Sequence, residues 1–344
     1  MEGMTFFPFR FEKTFPPFEF KDIHQIEIGR LPKKQIYKDG SMTVYRYEKR
    51  APQVKKPPLL IVFSLLGRPY ILDLMEECSL IQDLLDQGIK IYLIDWGFPT
   101  TEDFSLSLSH YINTYIANAV KAVQQNSRSQ KVHLMGVCQG GVLSLCYAAL
   151  HPQDIKTLIA FSTPVDFHTP EDVLSHSLRP IDIDLLVQNL GNISGAMITQ
   201  ALMILNPFRS VRKRFTEMNK IHQDPSRLAR FLSVEKWSLE SPDQTGVAFG
   251  EFVKEFYQNN NLIKGKIKIG AQKIDLKKLN LPILNILASK DALVPPNASL
   301  ALEHHVGSQD IRTLQCDTGH IGLYINDEAR AQVASTVHQW IMET

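Results

Sequence analysis

The chain has few cysteines, no long apolar run and no excess of one charge. Its 344 residues include four cysteines, at positions 78, 138, 146 and 316, and these have neither zinc-site spacing nor the density of a disulfide scaffold. No apolar run approaches the roughly 18 residues that span a bilayer. The first residues lack the continuous apolar segment of a secretory signal. We therefore expect no metal site, no membrane span and a reducing, cytoplasmic setting, in which a free thiol can serve as a catalyst.

The balance of charge argues against nucleic acid as a partner. Lys and Arg number 37, Asp and Glu number 36, and the formal net charge is +1. Binding to nucleic acid needs concentrated positive charge that neutralises phosphates. One local basic run, Arg209–Arg214, is either a solvated helix face or a contact for a phosphate.

Short β-branched apolar runs alternate with stretches of helical periodicity. The runs span 59–64, 90–95, 131–136, 156–161, 283–288 and 311–316, and the helical stretches span 71–87, 109–126 and 141–150. The apolar runs predict strands buried on both faces of a parallel sheet. The first helical stretch ends at Gly88, a suitable C-terminal cap. The alternation predicts an α/β fold with a mostly parallel, doubly wound sheet.

The alternation stops over 166–267, which divides the chain into three parts. This stretch is helix-like and contains prolines at 170, 180, 207, 225 and 242. Since loops at the carboxyl ends of parallel strands build the site, an insertion there predicts a helical cap. The core then comprises 41–165 and 268–344, and 1–40 forms an N-terminal arm.

The N-terminal arm is rich in phenylalanine. Seven of them stand at positions 6, 7, 9, 11, 15, 18 and 20, with prolines at 8, 16 and 17 that argue against a continuous helix. The rings either pack onto the parent domain or form an aromatic surface for a partner protein or a hydrophobic particle.

The segment G-V-C-Q-G-G at 136–141 has the layout of a nucleophile elbow. It follows a predicted strand and leads directly into a predicted helix, with Cys138 where hydrolases usually carry serine. Glycines at 136 and 140 are expected because side chains there would collide with neighbouring backbone. The helix N-terminus favours a thiolate. The alternative is a buried structural cysteine in a tight turn.

Two later residues supply a base and an acid in the order of the α/β-hydrolase fold. His320 follows the last predicted strand, and Asp291 follows the strand before it. Taken singly, Asp291 could be a turn or capping residue and His320 a structural histidine. Three such residues after three separate strands favour a catalytic triad. Asp317 is a rival acid, but it lies close in sequence to His320, which does not fit the usual layout.

The predicted oxyanion site is built from backbone. The N–H of Gln139, directly after the nucleophile, is one expected donor. The second donor is expected from the loop after the strand 59–64, at Leu66 or Gly67.

A cysteine nucleophile favours thioester chemistry. A thiolate that attacks a thioester forms another thioester, which stays reactive toward a hydroxyl acceptor. This suggests acyl transfer from a coenzyme A thioester. The alternative is a cysteine-dependent hydrolase of the same fold, such as a thioesterase.

The chain resembles the catalytic subunit of polyhydroxyalkanoate synthases of the short, two-component type. The resemblance runs from about residue 40 to the end and includes the predicted cap. The stretches that carry it are M-T-V-Y-R-Y (42–47), R-P-Y (68–70), Y-L-I-D-W-G (92–97), G-V-C-Q-G-G (136–141), T-P-V-D-F (163–167), D-I-D (182–184), G-N-I (191–193), E-K-W (235–237), S-P-D-Q (241–244), F-Y-Q-N-N (256–260), L-V-P-P (293–296) and G-H-I-G-L-Y (319–324).

The resemblance implies Cys138 as nucleophile, Asp291 as acid and His320 as base. It implies short-chain (R)-3-hydroxyacyl-CoA substrates such as 3-hydroxybutyryl-CoA, release of CoA and formation of a polyester. No metal or cofactor is implied, since the coenzyme A thioester is the substrate. A second, non-catalytic subunit and work at the surface of polymer granules in the cytoplasm are also implied, and we expect a homodimer. The alternatives to this reading are an intracellular polyester depolymerase of the same fold and a non-catalytic granule-associated protein.

This sequence departs from the family pattern in three places. Gly67 stands where relatives commonly have Asn, so side-chain help at the oxyanion site is not expected. Ala292 follows the acid where relatives often have His, so an auxiliary histidine is absent. The Phe-rich start matches no family segment, and no function is carried over to it.

Overall fold

The computed structural model describes residues 28–205 and 224–344. The seven N-terminal phenylalanines and the basic run Arg209–Arg214 lie outside the described residues.

An eight-stranded sheet forms the centre of the described structure. Its order is β1-β2-β6-β3-β7-β8-β11-β12, and the six strands from β6 to β12 run parallel. The strands in chain order are β1 (Lys33–Asp39), β2 (Met42–Tyr47), β3 (Leu59–Val62), β4 (Asp73–Met75), β5 (Cys78–Ser79), β6 (Ile91–Asp95), β7 (Val132–Val137), β8 (Ile155–Phe161), β9 (Lys268–Ile269), β10 (Gln272–Lys273), β11 (Ile283–Ala288) and β12 (Ile311–Cys316). All six predicted strands are therefore confirmed, as is the predicted α/β class.

Helices cover both faces of this sheet. In chain order they are α1 (Leu80–Asp86), α2 (Leu108–His110), α3 (Ala117–Ser127), α4 (Gln139–Leu150), α5 (Val173–Leu178), α6 (Ile183–Leu190), α7 (Gly195–Leu205), α8 (Pro225–Leu239), α9 (Gly246–Phe252), α10 (Pro296–Leu300), α11 (Leu302–His305), α12 (Gly322–Ile325) and α13 (Asp327–Glu343). A π-helical turn, Tyr111–Ile116, joins α2 to α3. The helices predicted over 109–126 and 141–150 are confirmed.

The buried core lies in two layers, one on each face of the sheet. One layer includes Ile112, Val120 and Leu143 from α2 to α4. The other includes Leu84 of α1 and Trp340 of α13. Strands β3, β7 and β11 are buried along their whole length because both faces are covered. The edge strand β12 is the exception: most of its side chains are partly or fully exposed, so the prediction of burial on both faces is wrong there.

The helix predicted over 71–87 is wrong in its first half. Residues 73–79 form the small antiparallel pair β4–β5, and helix α1 begins only at Leu80. Tertiary contacts override the helical periodicity here, because the Asp73 carboxylate accepts hydrogen bonds from the N–H of Leu31 at 3.1 Å and the hydroxyl of Ser79 at 2.8 Å. The predicted cap at Gly88 is confirmed by its left-handed φ of +82°.

The pair β1–β2 was not predicted from the apolar runs. The edge strand β1 is partly or fully exposed along its whole length, whereas four of the six residues of β2 are buried, and β2 joins the sheet antiparallel to β6. Between β8 and β11 the described chain contributes no strand to the large sheet; it forms α5 to α9 and the β9–β10 hairpin. The division into arm, core and cap stays a prediction.

Candidate active site

Cys138 stands in a sharp turn between strand β7 and helix α4. Its backbone has φ +55° and ψ −120°, a conformation that side-chain-bearing residues rarely adopt. The turn is fixed by backbone bonds on both sides: the N–H of Cys138 donates to the carbonyl of Phe161 at 2.9 Å, and its carbonyl accepts from the N–H of Gly141 at 2.9 Å. The thiol is half-buried at the N-terminus of a helix, as the elbow pattern predicts.

The glycines of the elbow are required by close packing. A Cβ on Gly140 would lie 2.2 Å from the carbonyl oxygen of Val62 and 2.4 Å from that of Phe63. A Cβ on Gly136 would lie 2.5 Å from the Cα of Gly141. The expected collisions with backbone are confirmed: the missing side chain at Gly140 lets helix α4 approach the end of strand β3, and the one at Gly136 lets strand β7 approach helix α4.

Buried Asp291 and half-buried His320 form a hydrogen-bonded pair. The Nδ1 of His320 lies 2.6 Å from Oδ2 of Asp291. The other carboxylate oxygen accepts from the N–H groups of Leu293 and Val294, each at 2.9 Å. Both residues follow the carboxyl ends of neighbouring parallel strands, β11 and β12, so the sheet brings them together.

The rival acid lies elsewhere. Asp317 is exposed, and its carboxylate binds Lys290 at 2.8 Å and the hydroxyl of Ser289 at 3.0 Å. The geometry thus pairs His320 with Asp291.

The electrostatics of the pair favour a protonated imidazole. Burial alone would lower the pKa of His320, but the charge of Asp291 and a hydrogen bond with Cys138 raise it well above its usual value. Burial would raise the pKa of Asp291, but His320 and the backbone N–H groups of Val294 and Leu293 hold it below its usual value. The site therefore stabilises the imidazolium that forms when His320 accepts the proton of the Cys138 thiol.

The two backbone donors predicted in the loop after strand β3 are both occupied. The N–H of Leu66 donates to the hydroxyl of Ser64 at 3.1 Å, and the N–H of Gly67 donates to the hydroxyl of Ser241 at 3.1 Å. The side chain of Gln139 accepts from Ser64 at 3.2 Å, so the same serine links both predicted donor segments.

Helix α8 and the residues after it cover this loop. The Trp237 ring packs on Gly67, where an added Cβ would come within 2.5 Å of Cζ2, and its indole N–H donates to the carbonyl of Arg68 at 2.7 Å. The hydroxyl of Tyr70 donates to the carboxylate of Glu240 at 2.8 Å. These residues belong to the stretch predicted as a cap, and they lie directly over the predicted oxyanion loop.

Comparison with known proteins places the chain in a family. The model of the alpha/beta hydrolase fold family matches residues 57–327. The Poly(3-hydroxyalkanoate) polymerase subunit PhaC of Allochromatium vinosum is 41% identical over 320 residues, which cover 92% of this chain and 90% of that protein. Its counterpart from Synechocystis is 39% identical over 328 residues, covering 92% and 86%. The chain belongs to this polymerase family.

Solved structures agree with the family on the fold. A structure described as two metagenome-derived lipolytic enzymes, LipS and LipT, superposes with a TM-score of 0.53 at 12% identity, over 85% of this chain and 96% of that one. A thioesterase domain from the curacin biosynthetic pathway gives 0.50 at 15% identity, over 91% and 99%. Identities this low show the shared α/β-hydrolase fold alone.

Sequence reasoning missed residues that support the polymerase site. Ser162, directly after strand β8, donates from its hydroxyl to Oδ2 of Asp291 at 3.1 Å. Burial raises the pKa of Tyr257 and of Tyr324 well above the usual value for tyrosine, and the charge of Cys138 adds to both shifts. The signal for Ser162 was its place at the carboxyl end of a parallel strand, whereas the tyrosines carry no such signal.

Two searches of the described residues concern metals and membranes. Within 28–205 and 224–344 no three His, Cys, Asp or Glu residues are grouped so that they could hold a metal ion. In the same part of the chain, every helix is too short or too polar to cross a bilayer.

Proposed function

We propose that the chain is the catalytic subunit of a polyhydroxyalkanoate synthase that polymerises short-chain (R)-3-hydroxyacyl-CoA, with 3-hydroxybutyryl-CoA as the representative substrate. CoA is released and the acyl group passes through a thioester on Cys138. The observation that carries the proposal is a half-buried thiol at a nucleophile elbow beside a hydrogen-bonded His320–Asp291 pair, in a member of the polymerase family.

The first half-reaction loads the enzyme. His320 accepts the proton of the Cys138 thiol, and the thiolate attacks the carbonyl carbon of the acyl-CoA. The Sγ–C bond forms, the C–S bond to CoA breaks, and CoA leaves with the proton held by His320. Asp291 stabilises the imidazolium and fixes its orientation through the 2.6 Å contact.

The second half-reaction extends the polymer. His320 accepts the proton of the 3-hydroxyl of a growing chain or incoming monomer, and the hydroxyl oxygen attacks the acyl-enzyme. An ester bond forms, the bond to Sγ breaks, and His320 returns the proton to the thiolate. The cycle moves protons and one acyl group only, so it requires no metal or cofactor.

The oxyanion is held by backbone N–H groups in both halves. We assign this role to Gln139 and to Leu66 or Gly67. Because Ser64 and Ser241 engage the last two, these hydroxyls must give up their contacts when the substrate arrives.

Covering of the site favours transfer over hydrolysis. The Trp237 ring and the Ser241 hydroxyl lie over the loop at Gly67, which keeps bulk water away from that side. An acyl-enzyme open to water would yield the free hydroxyacid. Entry of substrate then requires the cap to move, so closed and open positions are part of the proposal.

The proposal includes the surroundings in which the enzyme works. A second, non-catalytic subunit and the surface of polyester granules in the cytoplasm are the expected partners, and the expected assembly contains a homodimer. Binding of the second subunit favours the open cap position, so specific activity should rise with it. A specific activity that does not depend on the partner would contradict this part.

The decisive experiment compares wild type with Cys138→Ala and Cys138→Ser. Each protein is incubated with (R)-3-hydroxybutyryl-CoA, alone and after co-purification with its native partners. Free thiol is followed over time, and the products are separated into polymer and monomeric acid. We expect CoA release and polymer from wild type, and neither from the alanine variant.

Each other outcome has a clear meaning. Equal CoA release from wild type and Cys138→Ala ends the nucleophile assignment. CoA release with monomeric acid and no polymer identifies a hydrolase of the same fold. No CoA release from wild type, even with its partners, identifies a non-catalytic granule protein.

A further inference from the structure

The residue after strand β8 adopts a strained backbone beside the candidate site. Ser162 has φ +44°, in the left-handed region that suits glycine, and it is only 1% exposed. Its N–H donates to the carbonyl of Ile286 in strand β11 at 2.7 Å, which holds the turn in place. A strained buried residue of this kind is a feature that the surrounding structure must stabilise.

In this backbone conformation the side chain of Ser162 contacts the acid, Asp291. Its hydroxyl donates to Oδ2 of Asp291 at 3.1 Å, on the same oxygen that lies 2.6 Å from Nδ1 of His320. Glycine would accept this backbone conformation at little cost. A glycine at this position would avoid the strain but would leave Oδ2 of Asp291 without the hydroxyl donor.

The Asp291 carboxylate is held from two sides. Oδ1 accepts two backbone N–H bonds, from Leu293 and Val294. Oδ2 accepts from Ser162 and His320. Without the Ser162 hydroxyl, Oδ2 has His320 as its remaining partner. The buried carboxylate then loses part of the stabilisation of its charged form, and it is held less firmly in its orientation.

The same strand end also reaches the nucleophile. The carbonyl of Phe161 accepts the N–H of Cys138 at 2.9 Å, and its ring stacks on Tyr324 at 5.4 Å between centroids. Tyr324 in turn meets the ring of His320 edge-on at 6.3 Å. Phe161 and Ser162 thus connect the turn of Cys138 with the acid and the base.

We propose that Ser162 is a positioning residue for acyl transfer: its hydroxyl fixes the Asp291 carboxylate so that Oδ2 faces the imidazole of His320. This inference rests on the proposed function for its catalytic consequence, and on the hydrogen bonds of Ser162 and Asp291 for its structural part.

The test uses two variants that remove the hydroxyl in different ways. Ser162→Ala keeps a Cβ in the strained conformation, and Ser162→Gly relieves the strain. We expect kcat for CoA release from 3-hydroxybutyryl-CoA to fall about tenfold in both, with KM nearly unchanged, as for loss of a hydrogen bond to a charged group. The acidic limb of the kcat profile, where His320 becomes protonated, should move to lower pH, because a less well oriented Asp291 raises the pKa of His320 less.

A matched control separates positioning from simple loss of a buried hydroxyl. Ser299 is also 1% exposed and donates to the carbonyl of Thr163 at 2.8 Å, without contacting the acid or the base. Ser299→Ala should lower stability but leave the pH profile unchanged. The downfield proton resonance of His320 Nδ1–H gives a second measurement, which should shift upfield in both Ser162 variants and stay in place in the control.

The resonance requires no substrate, so it tests the positioning role even if the wild type releases no CoA and the proposed function fails. Ser162 variants that keep the wild-type resonance overturn the proposal whatever their activity. A loss of kcat in Ser162→Ala that Ser162→Gly restores also overturns it, because the effect would then come from the backbone.

Discussion

The hydroxyl of Ser241, in the segment after helix α8, accepts a hydrogen bond from the N–H of Gly67 at 3.1 Å. Gly67 lies in the loop that is predicted to hold the oxyanion, so in the proposed mechanism a side chain of the predicted cap occupies a donor that the substrate needs. The same region adds the Trp237 indole on the carbonyl of Arg68. In the proposed mechanism, closure of the predicted cap and binding of the acyl group therefore compete for the N–H of Gly67.

Removal of the Ser241 hydroxyl should make the site easier to enter. In Ser241→Ala the N–H of Gly67 has no internal acceptor, and we expect the rate of CoA release at subsaturating substrate to rise about two- to tenfold, the range that one neutral hydrogen bond supports. Ser238→Ala is the matched control, since its hydroxyl bonds only to the carbonyl of Glu235 within helix α8. A fall in the rate of Ser241→Ala would show that the hydroxyl assists the reaction.

The two candidate acids should respond very differently to substitution. Asp291→Asn keeps the shape of the side chain but removes the charge and fixes the wrong tautomer of His320, so we expect kcat to fall by roughly three to four orders of magnitude. Asp317→Asn should change kcat less than about threefold, as for loss of an exposed ion pair. Single-turnover experiments that follow the rate of acyl-enzyme formation measure the effect of each of the two substitutions. A larger loss in Asp317→Asn would reassign the acid.

The elbow should not tolerate a methyl group at Gly140. An added Cβ would meet the carbonyl oxygens of Val62 and Phe63 within 2.4 Å, so Gly140→Ala should lower the free energy of unfolding by about 3 kcal/mol or more. Gly250 in helix α9 offers a comparison, because its nearest neighbour is the flexible end of Val187 at 3.4 Å. Gly250→Ala should be neutral or stabilising by up to about 1 kcal/mol. Urea unfolding measures the free energy of unfolding of both variants. Equal stabilities of Gly140→Ala and Gly250→Ala would disprove the packing argument.

Buried Asp172 should make stability depend on pH in an unusual direction. It caps helix α5, and burial raises its pKa to about 6. Between pH 4 and 6 the folded state therefore binds more protons than the unfolded state, so this residue's contribution to stability falls as the pH rises. Asp172→Asn removes the titration and can keep the cap. Its stability relative to wild type should increase across this range by at most about 3 kcal/mol, as measured by urea unfolding. A constant difference would contradict the assigned pKa.

The sequence predicts the central sheet because burial there is nearly complete. Strands such as β3 and β11 need apolar side chains on both faces, and that need appears as continuous apolar runs. The pair β1–β2 is not predicted because neither strand is a continuous apolar run: β1 is exposed at the sheet edge, and the buried strand β2 contains Thr43 and Arg46. The pair β4–β5 was missed because the Asp73 carboxylate fixes residues distant in sequence, which no local periodicity reveals.

Some residues of the candidate site can be predicted from the local sequence, whereas others depend on contacts between distant parts of the chain. The elbow at Cys138 and the order of Asp291 and His320 follow from the fold, so each could be placed from its strand. Ser162 and Ser241 act through single hydrogen bonds across 129 and 174 positions of sequence. Such contacts depend on the packed structure, and the sequence alone gives no distance between them.

Helix α8 is attached to the molecule at a second point. Arg230 donates to the carbonyl of Ile325 at 3.2 Å and binds Asp327 at 3.1 Å, just beyond the segment that carries His320. One rigid helix thus touches both the loop at Gly67 and the segment of the base. In the proposed mechanism, a movement of this helix away from Gly67 therefore also disturbs the contacts of Arg230 beside the segment of the base, so opening of the site and the position of His320 are coupled.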